Sequence, residues 1–165
     1  MSAGRPGAAR CSKVAAACVA VALSAGCEQG RHEKPAPYVP GLGEIMSAQQ
    51  MRHLKLWYAG QAGNWPLAAY ELDELQEGFE DVVRFHPRHG DAPRPLTELV
   101  PEMTSGPIAA LREAIEKPSA PDFAAAYDAL TQGCNACHVA AQFPFNVVTR
   151  PATNPYSNQR FEPAR

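Results

Sequence analysis

Five consecutive residues near the C-terminus carry the clearest chemistry in this 165-residue chain. Cys134, Cys137 and His138 form the pattern Cys-x-x-Cys-His. This pattern is typical of c-type haem attachment, in which each thiol bonds one vinyl group and the histidine becomes the proximal iron ligand. On a helix the three side chains share one face, because positions i, i+3 and i+4 are neighbours there. The motif therefore predicts one covalently attached haem c, with His138 as a metal ligand.

Two other kinds of site use a Cys-x-x-Cys pair. A thioredoxin-like redox pair lies between a strand and a helix, a context that this sequence does not indicate. A structural zinc site needs four ligands, and His86 and His89 are the candidates to complete one. Haem attachment is favoured over both, because the chain also begins with an export signal.

Residues 1–26 have the organisation of a signal peptide. Basic residues precede an apolar run from Val14 to Leu23, which is too short to span a bilayer well. The ending Leu-Ser-Ala-Gly-Cys resembles a bacterial lipoprotein signal, in which Cys27 becomes the lipidated first residue. Cleavage near Ser24–Gly26 without lipidation is the alternative. Both predict a periplasmic protein, and the first also predicts a membrane anchor at Cys27.

The rest of the chain is expected to form one domain after a tether. Residues 27–43 contain three prolines and little apolar periodicity, which indicates a flexible linker. The haem-binding domain is expected over 44–142, followed by an extended tail over 143–165. The formal net charge of −2 gives no reason to expect a nucleic-acid partner.

Apolar periodicity predicts helices that place the motif in a core. The first helix is expected from about Glu44 to Gly60 and the second from about Trp65 to Phe85. A short helical piece is expected over Leu96–Met103, and a separate third helix from Pro107 to about Lys117. The fourth begins after Ser119 and runs into the motif, since Phe123, Tyr127, Leu130 and Cys134 recur at helical spacing.

The second helix has the clearest two-faced pattern. Its apolar stripe faces the core, and acidic residues, among them Glu71, Glu74 and Glu77, cover much of the remainder. A solvated face is the simpler interpretation of these acids. The alternative is a docking patch for a basic redox partner.

The stretch from Asp122 to Tyr127 running into Cys134–His138 resembles the last helix of the class II c-type cytochromes, the cytochrome c′ group. Gln50-Met51-Arg52-His53 is loosely similar to the first helix of that group. The resemblance covers about residues 44–140, and the long tail after the motif departs from it. It implies an all-α, up-down-up-down four-helix bundle with the covalent haem near one end.

That topology brings the start of the first helix beside the end of the fourth, so the sixth iron position faces the first helix. Met46 is the best-placed ligand there, because its thioether can bind iron and raise its potential. His53 lies on the same face about 10 Å further along the helix axis, and Met51 is a third candidate. An open distal site follows if Arg52 and Leu56 match the group's Arg-x-x-x-Leu spacing. Arg52 and Arg150 are candidates to pair with haem propionates.

These features predict a monohaem c-type cytochrome that carries single electrons and is not an enzyme. Its partners would be an unidentified redox protein and the membrane, with a homodimer as a possible assembly. Two alternatives remain. One is a haem protein that binds nitric oxide or carbon monoxide at an open site. The other is a peroxidase-like enzyme with His53 as acid/base and Trp57 or Tyr58 as redox relay.

Overall fold

Four helices and no strand make up the part of the chain that the computed structural model describes, residues 37–90 and 92–164. The helices are α1 (Leu42–Gln61), α2 (Trp65–Phe85), α3 (Leu96–Glu116) and α4 (Ala120–Ala140). The predicted signal peptide, Cys27 and most of the tether lie outside the described residues. In the described part, no helix is both long and apolar enough to cross a bilayer.

Polar side chains fix the starts of α2 and α4. The Asn64 side chain accepts a hydrogen bond from the Leu67 amide at 3.3 Å, and Pro66 occupies the first turn where its missing N–H costs nothing. The Ser119 hydroxyl accepts from the Asp122 amide at 3.4 Å. These caps set the bounds of both helices close to the sequence prediction.

The third helix is longer than its sequence indicates. Leu96–Glu116 is one continuous helix with Pro101 and Pro107 inside it, so the predicted break before Pro107 is wrong. Without an N–H, Pro107 leaves the Met103 carbonyl unpaired within the helix. Gly133 of α4 packs closely against this carbonyl: a Cβ at Gly133 would lie 2.2 Å from the Met103 oxygen. Packing against α4 therefore outweighs the local preference of proline to interrupt the helix.

The helices form a four-helix bundle in which sequence neighbours pack side by side. Contacts are extensive between α1 and α2 and between α3 and α4, and they are sparse between α1 and α4. The predicted α2 stripe, Ala68, Leu72, Leu75, Phe79 and Val82, is buried. The α4 residues Phe123, Tyr127 and Leu130 have no exposed surface. The bundle therefore has one continuous core, to which all four helices contribute.

The tail runs back over the bundle without regular secondary structure. Its Phe161 is buried, packs against the ring of Tyr58 at 5.6 Å and accepts a hydrogen bond from Asn64 through its carbonyl. Arg150 pairs with Asp128, and its guanidinium lies 4.4 Å from the Trp57 ring centroid. The tail therefore spans from the end of α4 to the α1–α2 turn.

Candidate haem-binding site

The last two turns of α4 face the first turns of α1 across a cleft. Cys134, Cys137 and His138 line one wall, and Met46 lines the other. The cavity between them is about 200 Å³, and its base is formed by Leu75, Phe79 and Thr104. The structure thus brings the predicted attachment motif and the predicted distal methionine to one site.

The two cysteines are unpaired thiols in a shielded position. Burial raises the pKa of Cys134 to about 12 and also raises the pKa of Cys137. A disulfide-exchanging pair has a lowered thiol pKa, because the thiolate is its nucleophile. The environment of these cysteines is therefore unlike that of a thioredoxin-type redox site.

His138 has one ring nitrogen engaged. Its Nδ1 lies 2.7 Å from the main-chain oxygen of Asn146. A carbonyl oxygen only accepts, so Nδ1 carries a proton, and in the neutral imidazole Nε2 then has the free lone pair. Metal-binding histidines usually donate their second N–H in this way, which fixes the tautomer and the ring orientation.

The Asn146 carbonyl reaches His138 because of the way α4 ends. The amides of Phe143 and Gln142 donate to the carbonyls of His138 and Val139 at 2.7 and 3.1 Å, which is the Schellman pattern. Gln142 occupies the left-handed position with φ 71°, where glycine is the usual residue. The chain thereby reverses and runs back along the last turns of α4. We call residues 143–148 the proximal strap.

The first helix presents one methionine to the cleft. Met46 is half-buried and lies at the edge of the buried face of α1, which consists mainly of Ile45, Gln49, His53, Leu56 and Trp57. Met51 is 38 % exposed and does not line the cleft. Met46 and Gln50 lie beside this buried face and border the opening.

His53 has both ring nitrogens in hydrogen bonds. Nε2 lies 2.9 Å from the Thr131 hydroxyl, and Nδ1 lies 2.8 Å from the Tyr127 hydroxyl. The residue is 4 % exposed, and burial lowers its pKa to about 4. His53 borders the deep end of the cleft as a neutral imidazole, and binding a metal would cost it one of these bonds.

The two arginines predicted to meet propionates are directed elsewhere. Arg52 is turned towards α2, where it donates to the Glu74 carbonyl at 2.8 Å and pairs with the Glu74 carboxylate at 2.9 Å. Arg150 is held by Asp128 and Trp57. Neither side chain lines the cleft.

The acidic face of α2 is partly internal, so the prediction that these acids are solvated is wrong in part. Glu71 is 3 % exposed, and burial raises the pKa of its carboxyl, with Lys55 Nζ 4.0 Å away. Asp73 pairs with Arg112 at 2.9 Å. Fewer of these carboxylates than predicted are therefore free for a basic partner.

The candidate zinc ligands do not join the cysteines. His86 Nε2 lies 2.8 Å from the Pro40 carbonyl, and the His89 ring packs against Phe143 at 5.4 Å. Within residues 37–90 and 92–164, no group of three or more histidine, cysteine, aspartate or glutamate side chains is placed to hold a metal ion. The donors that line the cleft are instead two thiols, the imidazoles of His53 and His138, and one thioether.

These residues fit a covalently held haem in type and in grouping. A volume of about 200 Å³ is smaller than the ~300–1,000 Å³ of typical ligand pockets, so a macrocycle there requires the cleft to widen. The boundary that would open is the α1–α4 pair, where the helices already make few contacts.

A larger groove of about 760 Å³ lies between α2 and α3. Its floor includes Phe79, Val100 and Ile108, and none of its lining residues is a cysteine, histidine or methionine. It offers no sulfur or imidazole ligand, so the smaller cleft is the better candidate for haem chemistry.

Several residues of the site carry no sequence signal. Asn135 occupies a variable position of the motif, yet its side chain donates to the Val148 carbonyl at 2.8 Å and accepts from the Val148 amide at 2.7 Å. Asn146 acts through its main chain, which any residue supplies. These contacts depend on the reversal of the chain after α4, which apolar periodicity does not predict.

Comparison with protein-family models, with curated proteins and with solved structures finds no match to this chain.

Proposed function

We propose that the protein is a monohaem c-type cytochrome that carries single electrons. The observation that supports this most directly is the hydrogen bond from His138 Nδ1 to the Asn146 carbonyl at 2.7 Å, beside two unpaired thiols on the same helix face. A histidine that served only as a packing side chain or as a titrating group would not need its ring to be held in this orientation. A proximal ligand does, because its free nitrogen must be fixed towards the metal.

In this proposal each residue of the site has one task. Cys134 and Cys137 hold the group covalently, and His138 orients a single lone pair towards its iron. The apolar base, Leu75 and Phe79, limits the access of water. When bound, the haem supplies a one-electron couple whose potential depends on its axial ligands and its burial.

Met46 is the residue proposed for the sixth position. It lies on the wall opposite His138 and its side chain is flexible. His53 is the weaker candidate, because both of its ring nitrogens are already hydrogen-bonded. The same two bonds weigh against a peroxidase role, since an acid/base catalyst needs a nitrogen free for its substrate.

An absorption spectrum of the protein matured in a host that attaches haem c tests this proposal. We expect a low-spin spectrum that carbon monoxide leaves unchanged. Met46→Ala should convert it to a high-spin form that binds carbon monoxide. Met51→Ala is the matched control and should keep the original spectrum.

A high-spin spectrum in the unaltered protein, shifted by carbon monoxide, would contradict electron transfer and favour the gas-binding function. Peroxide turnover that His53→Ala abolishes would favour the enzyme. A protein without covalent haem would refute the proposal as a whole.

We also propose export to the periplasm and anchoring through a lipidated Cys27. The support is the sequence of residues 1–27 alone. A Cys27→Ser variant should move from the membrane fraction to the soluble fraction. Its retention in the membrane fraction would rule out the anchor.

A further inference from the structure

The proximal strap is tied to the haem motif at two points. The first is the His138–Asn146 bond described above. The second is Asn135, whose amide side chain meets both main-chain groups of Val148 at 2.8 and 2.7 Å. This amide makes the same two hydrogen bonds to Val148, one donated and one accepted, that a residue of a neighbouring β-strand would make. The strap therefore has little freedom to shift relative to the last turn of α4.

The two attachments are mechanically linked. Only Val147 separates Asn146 from Val148, so holding the Val148 main chain also sets the position of the Asn146 carbonyl. On α4, Asn135 lies three residues before His138, which places both side chains on neighbouring positions of one helix face. If Val148 were released, the Asn146 carbonyl would be held only by its own turn, in which the Asn146 amide donates to the Phe143 carbonyl at 3.0 Å.

The strap lies at the surface, so these bonds compete with water. Phe145 and Val147 are 80 % and 65 % exposed, and Asn146 is exposed as well. Phe143, the first residue of the strap, packs against the core, and Phe145 contacts its ring at 5.8 Å. At the other end of the strap, the two directed hydrogen bonds from the partly buried Asn135 side chain fix Val148.

We propose that Asn135 is a positioning residue for the proximal ligand. It holds the strap so that the Asn146 carbonyl accepts a hydrogen bond from the Nδ1–H group of His138. This hydrogen bond sets the orientation of the ring and the strength with which Nε2 donates electrons to the iron. This inference rests on the proposed haem function. It assigns a role to a motif position that the pattern Cys-x-x-Cys-His leaves unspecified.

The test compares the unaltered holoprotein with Asn135→Ala. A carbonyl that accepts the Nδ1 proton makes the imidazole a stronger donor, which favours the ferric state. We call the two hydrogen bonds between Asn135 and Val148 the Asn135–Val148 clamp. Loss of this clamp should therefore shift the reduction potential to more positive values. The Nδ1–H resonance of His138 in the reduced protein should exchange faster with solvent.

Ala136→Ser serves as the matched control. It changes the other variable position of the motif, whose side chain is exposed, and should leave the potential unchanged. Asn135→Asp can still accept from the Val148 amide but cannot donate, so hydrogen exchange at that amide should be slower than in Asn135→Ala and faster than in the unaltered protein. It also replaces Asn135→Ala if the alanine variant does not mature.

A second readout does not depend on the iron. Hydrogen exchange at the Val148 amide should be at least about fivefold faster in Asn135→Ala, the factor expected for one lost hydrogen bond. Faster exchange with an unchanged potential would overturn the positioning role while leaving the haem function intact. Unchanged exchange would overturn the clamp itself. Absence of covalent haem from the unaltered protein would overturn both this inference and the proposed function.

Discussion

The boundary between α1 and α4 is closed at one end of the bundle and open at the other. At the closed end Gly60 lets α4 approach so closely that a Cβ there would lie 2.1 Å from the Phe123 ring. Phe123 stacks at 6.4 Å on Trp57 and meets the edge of Trp65 at 5.9 Å. At the open end, small, polar and sulfur-containing residues border a cleft of about 200 Å³.

The network around His53 separates these two ends. Tyr127 donates to His53, and Thr131 lies on the other side of the ring, so three polar groups satisfy one another inside the core. The aromatic end therefore keeps α1 and α4 together. The other end is then free to receive a large group without unfolding the bundle.

The largest effect is expected from removing the ring that closes the bundle. Phe123→Ala should lower the free energy of unfolding by about 3–5 kcal/mol, because Phe123 is fully buried and its loss leaves a cavity. Denaturant unfolding measures this. Phe145→Ala is the matched control at the open end: its side chain is 80 % exposed, so a change within about 0.5 kcal/mol is expected. Equal losses in the two variants would contradict the assignment of a closed and an open end.

The boundary network should make stability depend on pH. The His53 pKa is about 4 in the folded protein and about 6.5 when unfolded. The imidazole therefore stabilises the fold fully above pH 6.5, and this contribution is lost as the pH falls towards 4. The loss amounts to about 3 kcal/mol.

The contribution of His53 can be isolated by measuring the free energy of unfolding of the unaltered protein and of His53→Gln between pH 7 and 4. Glu71 titrates in both proteins and cancels in the difference. We expect the variant to be less stable at pH 7 but to lose less on acidification. Parallel pH profiles would contradict the neutral, buried state of His53.

Glycine at position 133 should be needed where α4 enters the open end. A Cβ in Gly133→Ala would lie 2.2 Å from the Met103 carbonyl oxygen, and this atom belongs to the main chain and cannot rotate away. Such overpacking typically costs about 1–3 kcal/mol. Gly106→Ala in α3 is the control, because nothing lies within 4 Å of its Cβ. That variant should gain up to about 1 kcal/mol from helix propensity. A stable Gly133→Ala protein with unaltered haem attachment would argue against close packing of α3 on α4 there.

The smallest effect is expected at the turn that starts the proximal strap. Gln142 has φ 71°, a conformation that costs a non-glycine residue about 1–2 kcal/mol. Gln142→Gly should therefore stabilise the protein by up to about 1 kcal/mol after glycine's own entropy cost. Gln142→Val should destabilise it, since a β-branched side chain is strained there. Thermal unfolding of the two variants gives the order, and the reverse order would contradict the left-handed turn.

The sequence predicted the parts of the structure that follow local rules. The α2 stripe has a clear period, and Asn64 and Ser119 are caps, so the helix bounds there are nearly as expected. The continuous α3 was missed because packing of Gly133 against the Met103 carbonyl outweighs the tendency of Pro107 to interrupt the helix. Burial of Glu71 was missed because a glutamate in a helical pattern is ordinarily expected to lie in solvent.

At the site, spacing alone predicted that Cys134, Cys137 and His138 lie together, because the motif is local in sequence, and all three line the cleft. The roles of Arg52 and His53 were harder to predict, since their partners Glu74, Tyr127 and Thr131 come from other helices. The Asn135–Val148 clamp depends on a reversal of the chain after α4. Such contacts have no spacing rule by which they could be recognised.

The most direct test of the central claim is the intact mass of the protein matured with haem. Attachment at the open end predicts one haem added to the mass of the mature chain, retained after denaturation because both thioether bonds are covalent. Cys134→Ser together with Cys137→Ser should lose it, while the fold persists. An unaltered protein with the bare polypeptide mass, or a double variant that keeps the added mass, would contradict the account.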